Sequence, residues 1–301
     1  MAKQEGISFM QFRQKFDSEE ACRDHLFKMR WPHGFCCPKC GSLTHYEIPT
    51  RNLMECADCH YQASVTVGTI MEKTHISLEK WFWGIYFFGS DKRGCSATLL
   101  AKELGISYKS AWFMLHRIRK AMKDRDSQYL LDGLVEMDDA YFGAKKEGSK
   151  RGRGTDKAKV IVGLSINDQG HPQYLKMEVV HNLKKQTLAD FANAHIASGS
   201  TISSDAYSSY LNLQKEGYQL EAKVFNPKAD SEHLKWLHTI ISNAKAFIEG
   251  TFHGLDKKYL QSYLDEFCYW FNRRLFLGEL FNRIVSSCLS SHRFMFTELT
   301  A

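Results

Sequence analysis

The sequence predicts an α+β chain of several domains: two small N-terminal modules, then a mixed five-stranded sheet with flanking helices. Three observations carry that prediction. Two Cys-x-x-Cys pairs stand near the start, Cys37/Cys40 and Cys56/Cys59, with fifteen residues between them. A helix, a glycine turn and a second helix follow between Ser96 and Met122. From Gly133 onward the apolar period changes from helical to alternating, as strands require.

Composition sets the outer bounds. A chain of 301 residues can build one large core or two to three smaller units. The formal net charge of +6 favours a polyanionic partner. The longest apolar run, Trp81 to Phe88 with its single Gly, is far too short to cross a bilayer, so no membrane partner is expected. No charged-then-apolar leader opens the chain, and the expectation is a cytoplasmic protein. The nine cysteines are an odd count, and Cys-x-x-Cys pairs in such a chain point to metal rather than disulfides.

Taken in order, residues 1–34 form an N-terminal helical segment, with Asp17-Ser18-Glu19-Glu20 starting a helix through Met29 and Trp31-Pro32-His33-Gly34 ending it. Residues 35–70 carry the cysteine pairs. Their C-x2-C-x15-C-x2-C spacing suits a four-thiolate structural zinc, one per chain, held by Cys37, Cys40, Cys56 and Cys59. Each pair makes a tight knuckle, and the residues between form a short hairpin. Cys36 is a competing ligand, although Pro38 and Gly41 favour the register of Cys37 and Cys40. His60 stands where the second knuckle ordinarily has Gly.

Residues 71–127 form the helical region. Ser77 to Arg93 reads as a helix whose aromatics belong to a core. The helix from Ser96 stops at Gly105, and the next begins at Ser107 or Tyr108, which is the helix-turn-helix pattern. The second of the two carries His116, Arg117, Arg119, Lys120 and Lys123. Two readings stand for it: a DNA-contacting basic face, or a helical hairpin with a solvated one.

Residues 128–285 hold the sheet, and 286–301 form a tail. Strands are expected at 133–143, 160–166, 174–180, 201–205 and about 220–225. Helices are expected over 185–198, 207–217, 236–252 and 257–274. The glycine-rich loop with Lys145, Lys146, Lys150, Arg151 and Arg153 either follows a phosphate backbone or is simply solvated.

The first strand places Glu136 and Asp138 on one face and Asp139 on the other. Ionised carboxylates in an apolar strand call for a neutraliser, and a divalent cation with oxygen ligands is the simplest. Three antiparallel strands, helix, strand, helix, strand and helices is the element order of the ribonuclease H-like fold. In that order the first and fourth strands lie side by side, so Asp138 and Asp205 become neighbours.

These residues resemble a known family. Val135-Glu136-Met137-Asp138-Asp139-Ala140-Tyr141 is similar to its V-E-x-D-E-T-Y strand, and Ser204-Asp205-Ala206-Tyr207 to its T/S-D segment. His238-Thr239-Ile240-Ile241-Ser242-Asn243-Ala244-Lys245 resembles its H-T-x-x-S-N-x-K helix, and Glu266-Phe267 to Asn272-Arg273-Arg274 its E-F-x-x-x-F-N-R-R ending. The family is the bacterial insertion-sequence transposases with an N-terminal zinc ribbon and an ISXO-two-like catalytic domain of the DDE superfamily.

The resemblance implies a catalytic triad of Asp138, Asp205 and Asn243, with Asn in place of the usual Glu. It implies two Mg²⁺ or Mn²⁺ ions, Asp138 bridging them while Asp205 and Asn243 each complete one site. Double-stranded DNA, as element ends and as target, is the implied partner, and a homo-oligomer the implied working form. Lys245 is a candidate phosphate contact. Departures from the pattern, Asp139 for Glu and Ala140 for Thr, touch none of the proposed ligands. The rival readings are a DNA-binding regulator derived from such an enzyme and a ribonuclease H-like nuclease.

Overall fold

The computed structural model describes residues 7–143, 156–205, 207–223 and 233–300. The chain divides into two compact units: one takes everything up to Arg125 together with the stretch from Leu275 onward, and the other is Asp126–Arg274.

The first unit opens with α1, Phe9–Lys15, closed at its start by a capping box. Ser8 Oγ accepts from the Gln11 N–H, and the Gln11 side chain accepts from the Ser8 N–H. Helix α2, Glu19–Arg30, starts at the Ser18 cap that the sequence indicates. The ribbon is an antiparallel sheet of β1 (His45–Ile48), β2 (Leu53–Cys56) and β3 (Gln62–Ala63). In α3, Leu78–Ser90, the side chains of Trp81, Phe82, Ile85 and Phe88 are buried, so the aromatics do belong to a core. Helix α4, Ala97–Leu104, ends at Gly105, whose φ of +59° suits a residue without Cβ, and α5, Tyr108–Asp126, follows.

The second unit is built on a five-stranded sheet. Its strands are β4 (Leu134–Phe142), β5 (Ala158–Ile166), β6 (Pro172–Val180), β7 (Thr201–Asp205) and β8 (Gln219–Lys223), in the spatial order β6-β5-β4-β7-β8. The first three pair antiparallel, while β7 lies parallel to β4 and β8 parallel to β7. Helix α6 is Lys185–His195, α7 is Lys235–Thr251 and α8 is Leu260–Asn272. The expected helix after β7 is instead a 3₁₀ stretch, Tyr210–Glu216, and the expected end of β8 at Phe225 lies outside the described residues.

Each face of the sheet has its own apolar core. Ala140, Phe142, Val160, Val162 and Leu164 meet α7 and α8. Val135, Met137 and Ile161 meet α6 and the 3₁₀ stretch. Strand β5 feeds both, which explains its unbroken apolar run. Gly163 is needed at its middle: a Cβ there would meet Leu131 Cδ1 at 3.0 Å and Phe191 Cε1 at 3.2 Å.

The outer rim of β6 is closed by side chains from both ends of α8 and just beyond. Asn272 accepts from the Leu175 N–H at 2.7 Å and donates to the Leu175 carbonyl at 3.1 Å. Gln261 does the same one turn of strand further, to the Val179 N–H at 2.7 Å and the Met177 carbonyl at 3.0 Å. Arg274 donates to the carbonyls of Gln173 and Pro172. Between them Arg273 makes a buried ion pair with Asp126 at 2.8 Å and lies on the Tyr269 ring. The Asn-Arg-Arg ending is therefore structural: it ties the point where the chain leaves this unit to the residue where it begins.

The stretch after Arg274 belongs to the first unit, earlier than a boundary at 285. Helix α9, Leu280–Ser290, turns Leu280, Ile284, Val285 and Cys288 inward, and Phe281 packs against Phe12, Phe16 and Phe82. The expected tail ends in a short helix, α10, Phe296–Thr300. Among the described residues no helix is long and apolar enough to cross a membrane.

Candidate functional site

The ribbon brings its four thiols together. The sulfurs of Cys37, Cys40, Cys56 and Cys59 all lie within 4.8 Å of one another, with Cys37 to Cys59 at 3.7 Å and Cys40 to Cys56 at 3.5 Å. Four thiolates about 2.3 Å from a tetrahedral zinc would be roughly 3.8 Å apart, so the donors fit that ion. The two knuckles repeat one turn: the Gly41 N–H donates to the Cys37 carbonyl at 2.9 Å, and the His60 N–H to the Cys56 carbonyl at 3.0 Å. His60 consequently takes a glycine-like φ of +53°, matching the +78° of Gly41. Hydrogen bonding from the Cys59 backbone N–H, against some burial, holds the Cys56 thiol down to about 6. Cys36 is exposed, its sulfur directed at the Gly41 carbonyl, and it stands outside the cluster.

The acidic centre is assembled by the sheet. In the parallel β4–β7 pair, Glu136 is opposite Ser203 and Met137 opposite Ser204. One step further along that register, Asp138 stands beside Asp205. Both carboxylates then point to the face that α7 covers, because Asp138 shares its side of β4 with Ala140 and Phe142. The backbone fixes one oxygen of each: Asp138 Oδ1 accepts from the Asp139 N–H at 2.7 Å, and Asp205 Oδ1 from the Tyr207 N–H at 3.2 Å.

Helix α7 completes the neighbourhood with its first turn. His238 Nε2 is 3.3 Å from Asp138 Oδ2, and this hydrogen bond raises the imidazole above its ordinary value despite desolvation. Glu136 Oε2 accepts from the Leu237 N–H at 3.1 Å. Burial pushes the Glu136 carboxyl up, with the Leu237 contact working against it. Lys245 lies seven residues beyond His238, about 20° round the helix, with its Nζ 5.9 Å from the Phe142 ring.

Asn243 is placed differently. It is exposed, and five residues from His238 turn it about 140° away round α7. The structure thus joins Asp138 to Asp205, adds Glu136 and His238, and leaves the Asn243 side chain off that face. His238 stands in the H-T-x-x-S-N-x-K segment but not among the expected site residues. Its contact with Asp138 depends on which side of α7 meets β4, and neighbouring apolar positions do not give that.

The cations expected to bind DNA fall into three groups. Arg119 is only 1% exposed, with its guanidinium 5.7 Å from the Phe88 ring. That corrects the reading of an exposed basic face: α5 buries Ala111, Met114, Leu115, Ile118, Ala121 and Met122, which leaves positions 116 and 119 inside. Arg117 lies over the Phe113 ring and donates to the Phe294 carbonyl at 3.2 Å, while Lys120 pairs with Asp124. The exposed side chains around the turn are Lys102, Glu103, Ser107, Tyr108 and Lys109. Lys145, Lys146, Lys150, Arg151 and Arg153 lie outside the described residues.

Two family descriptions fit this layout. Residues 17–62 match the transposase zinc-ribbon domain, and residues 130–272 match the ISXO2-like transposase domain. The chain thus carries a transposase zinc ribbon and an ISXO2-like transposase domain. The matched segments contain the four ribbon cysteines and all of Asp138, Asp205 and Asn243.

An uncharacterized protein in transposable element ISH50 of Halobacterium salinarum is 30% identical over 160 residues, 52% of this chain and 51% of its own length. The chain thus spans about half the length of that curated relative. Similar solved structures include a chain of the simian T-cell lymphotropic virus intasome in complex with PP2A regulatory subunit B56 gamma. It is 12% identical, with 56% of this chain and 63% of that chain covered, at a TM-score of 0.31. The Mos1 mariner paired end complex with Mn is 14% identical, with 69% and 79% covered, at a TM-score of 0.26. At such scores the fold assignment rests on the strand order rather than on these likenesses.

Proposed function

We propose that the protein is a DNA transposase that cleaves the ends of an insertion element and joins the freed 3′-hydroxyl to target DNA. The observation that carries this reading is the parallel β4–β7 register, which brings Asp138 beside Asp205 inside a family-matched domain. Two adjacent carboxylates with hard oxygen donors fit Mg²⁺ or Mn²⁺. Asp138 and Asp205 would hold the ions, with Asn243 as the third donor that the family motif implies. Bound there, such ions activate a water or a 3′-hydroxyl and stabilise the leaving oxygen.

The chain's own groups prepare that site. The Asp139 and Tyr207 N–H groups orient the two carboxylates. His238 offsets part of the charge the pair presents. Lys245, on the same side of α7, is the cation available to a flanking phosphate. The zinc ribbon and the exposed turn before α5 would engage the duplex at the element end. Paired ends require more than one copy of the chain, so a homo-oligomer on DNA is the expected working form.

The test is purified protein with its own terminal inverted repeats and Mg²⁺ or Mn²⁺. Strand cleavage that disappears in Asp138→Ala and Asp205→Ala while DNA binding persists supports the enzyme. One observation favours a second reading, a DNA-binding regulator: the third donor is uncharged and turned off the acidic face. Binding without cleavage under either metal would establish that reading, and cleavage without joining would point to a nuclease.

A further inference from the structure

We propose that Glu136 is a positioning residue: its carboxylate, carried on β4, caps the start of α7 and so holds the helix bearing His238, Asn243 and Lys245 against the strand bearing Asp138. Its catalytic consequence rests on the transposase reading; its structural core does not.

Helix α7 begins without a cap of its own. Its N-cap residue, Leu234, has a φ of +52° and makes no side-chain capping bond, and the first turn contains no acidic residue. The first amide groups of any helix lack intrahelical acceptors, and a carboxylate there also meets the positive end of the helix dipole. Glu136 Oε2 fills that place from another element, accepting the Leu237 N–H at 3.1 Å. The same device occurs at α3: both oxygens of Glu19, on α2, accept the N–H groups of Leu78 and Glu79 at its start, at 3.0 and 3.2 Å. Helix α3 has Ser77 as well. Among the described residues, the side-chain acceptor at the start of α7 is the one the strand supplies.

The placement couples the cap to the acidic centre. Glu136 and Asp138 are two apart on one strand face, and they meet two consecutive helix residues, Leu237 and His238. Two adjacent clamps fix both the height and the rotation of α7 over β4. The cap engages one oxygen, Oε2, and a metal would take the other, so capping and ligation are distinct roles that substitution separates. Gln keeps the acceptor oxygen and discards the charge, whereas Ala discards both.

The experiment uses the full chain as wild type, Glu136→Gln and Glu136→Ala. Amide hydrogen exchange over 235–239 should run roughly tenfold faster in the Ala variant and stay within about twofold of wild type in the Gln variant. Mn²⁺ affinity, read by calorimetry without DNA, should be within about twofold of wild type for Gln. With terminal-repeat DNA, Ala should lower kcat about tenfold at unchanged KM, and Gln should restore most of it. Unchanged exchange in the Ala variant overturns the proposal, and so does a tenfold loss of Mn²⁺ affinity in the Gln variant, which would make Glu136 a ligand. Should Ala fail to fold, Glu136→Asp, too short to reach Leu237, takes its place with the same expected exchange. If wild type cleaves nothing, the transposase reading falls while the exchange result still decides the cap.

Discussion

In the ribbon, the four sulfurs face one another within 4.8 Å; at the acidic centre, Asp138 and Glu136 each turn an oxygen to a protein partner, His238 and the Leu237 N–H. The ribbon's donors come from two knuckles that each close within a few residues. Those of the acidic centre come from strands and a helix far apart in the chain. A closed cage of thiolates suits an ion that stays and supports the fold. Carboxylates held by exchangeable contacts suit ions that arrive with substrate. Nearness of donors before any ion binds thus separates the thiolate cluster from the acidic centre.

Four experiments test that contrast. The largest effect should follow zinc removal: structural zinc contributes on the order of 10 kcal/mol to small ribbons, so chelation or Cys56→Ser should unfold β1–β3 and release about one zinc per chain. Metal analysis showing no change in content would end the claim of a cage. Next, Asp138→Ala should reduce cleavage by a factor of about 10³ or more while the ribbon keeps its zinc. Retained cleavage would mean that the acidic pair is not the reacting centre. Asn243→Ala should cost less, roughly 10- to 100-fold, because a neutral amide oxygen gives up less on removal than a carboxylate. A loss equal to that of Asp138→Ala would show that α7 turns when DNA and metal bind. The smallest effect should come from His60→Gly, which relieves a positive φ at the second knuckle and stabilises the ribbon by about 0.5 kcal/mol. A fall in thermal midpoint would instead give His60 a contact role, with Glu55 at 3.7 Å the first candidate.

What could be read from sequence follows the same division. The knuckles were legible because spacing alone brings the sulfurs together, and even the odd residue, His60, marked a position where the backbone needs a glycine-like turn. Strand positions were legible too, since alternation and the order of elements place Asp138 beside Asp205. Rotation of the helices was not. Arg119 reads as a surface cation until the packing of α5 is known, and His238 is not singled out until it is seen on the side of α7 that meets β4. Both depend on contacts between elements, which a period of 3.6 residues leaves undetermined when most of the helix circumference is apolar.

The side chains along β6 have an outcome of their own. An edge strand ordinarily offers its bare amides and carbonyls to any passing polypeptide. Here Gln261, Asn272 and Arg274 stand in for a sixth strand, so the sheet is finished on that flank without one. Trimming α8 by its last turn would leave the carboxylates of β4 and β7 untouched, yet it would expose a sticky border, and solubility would suffer first.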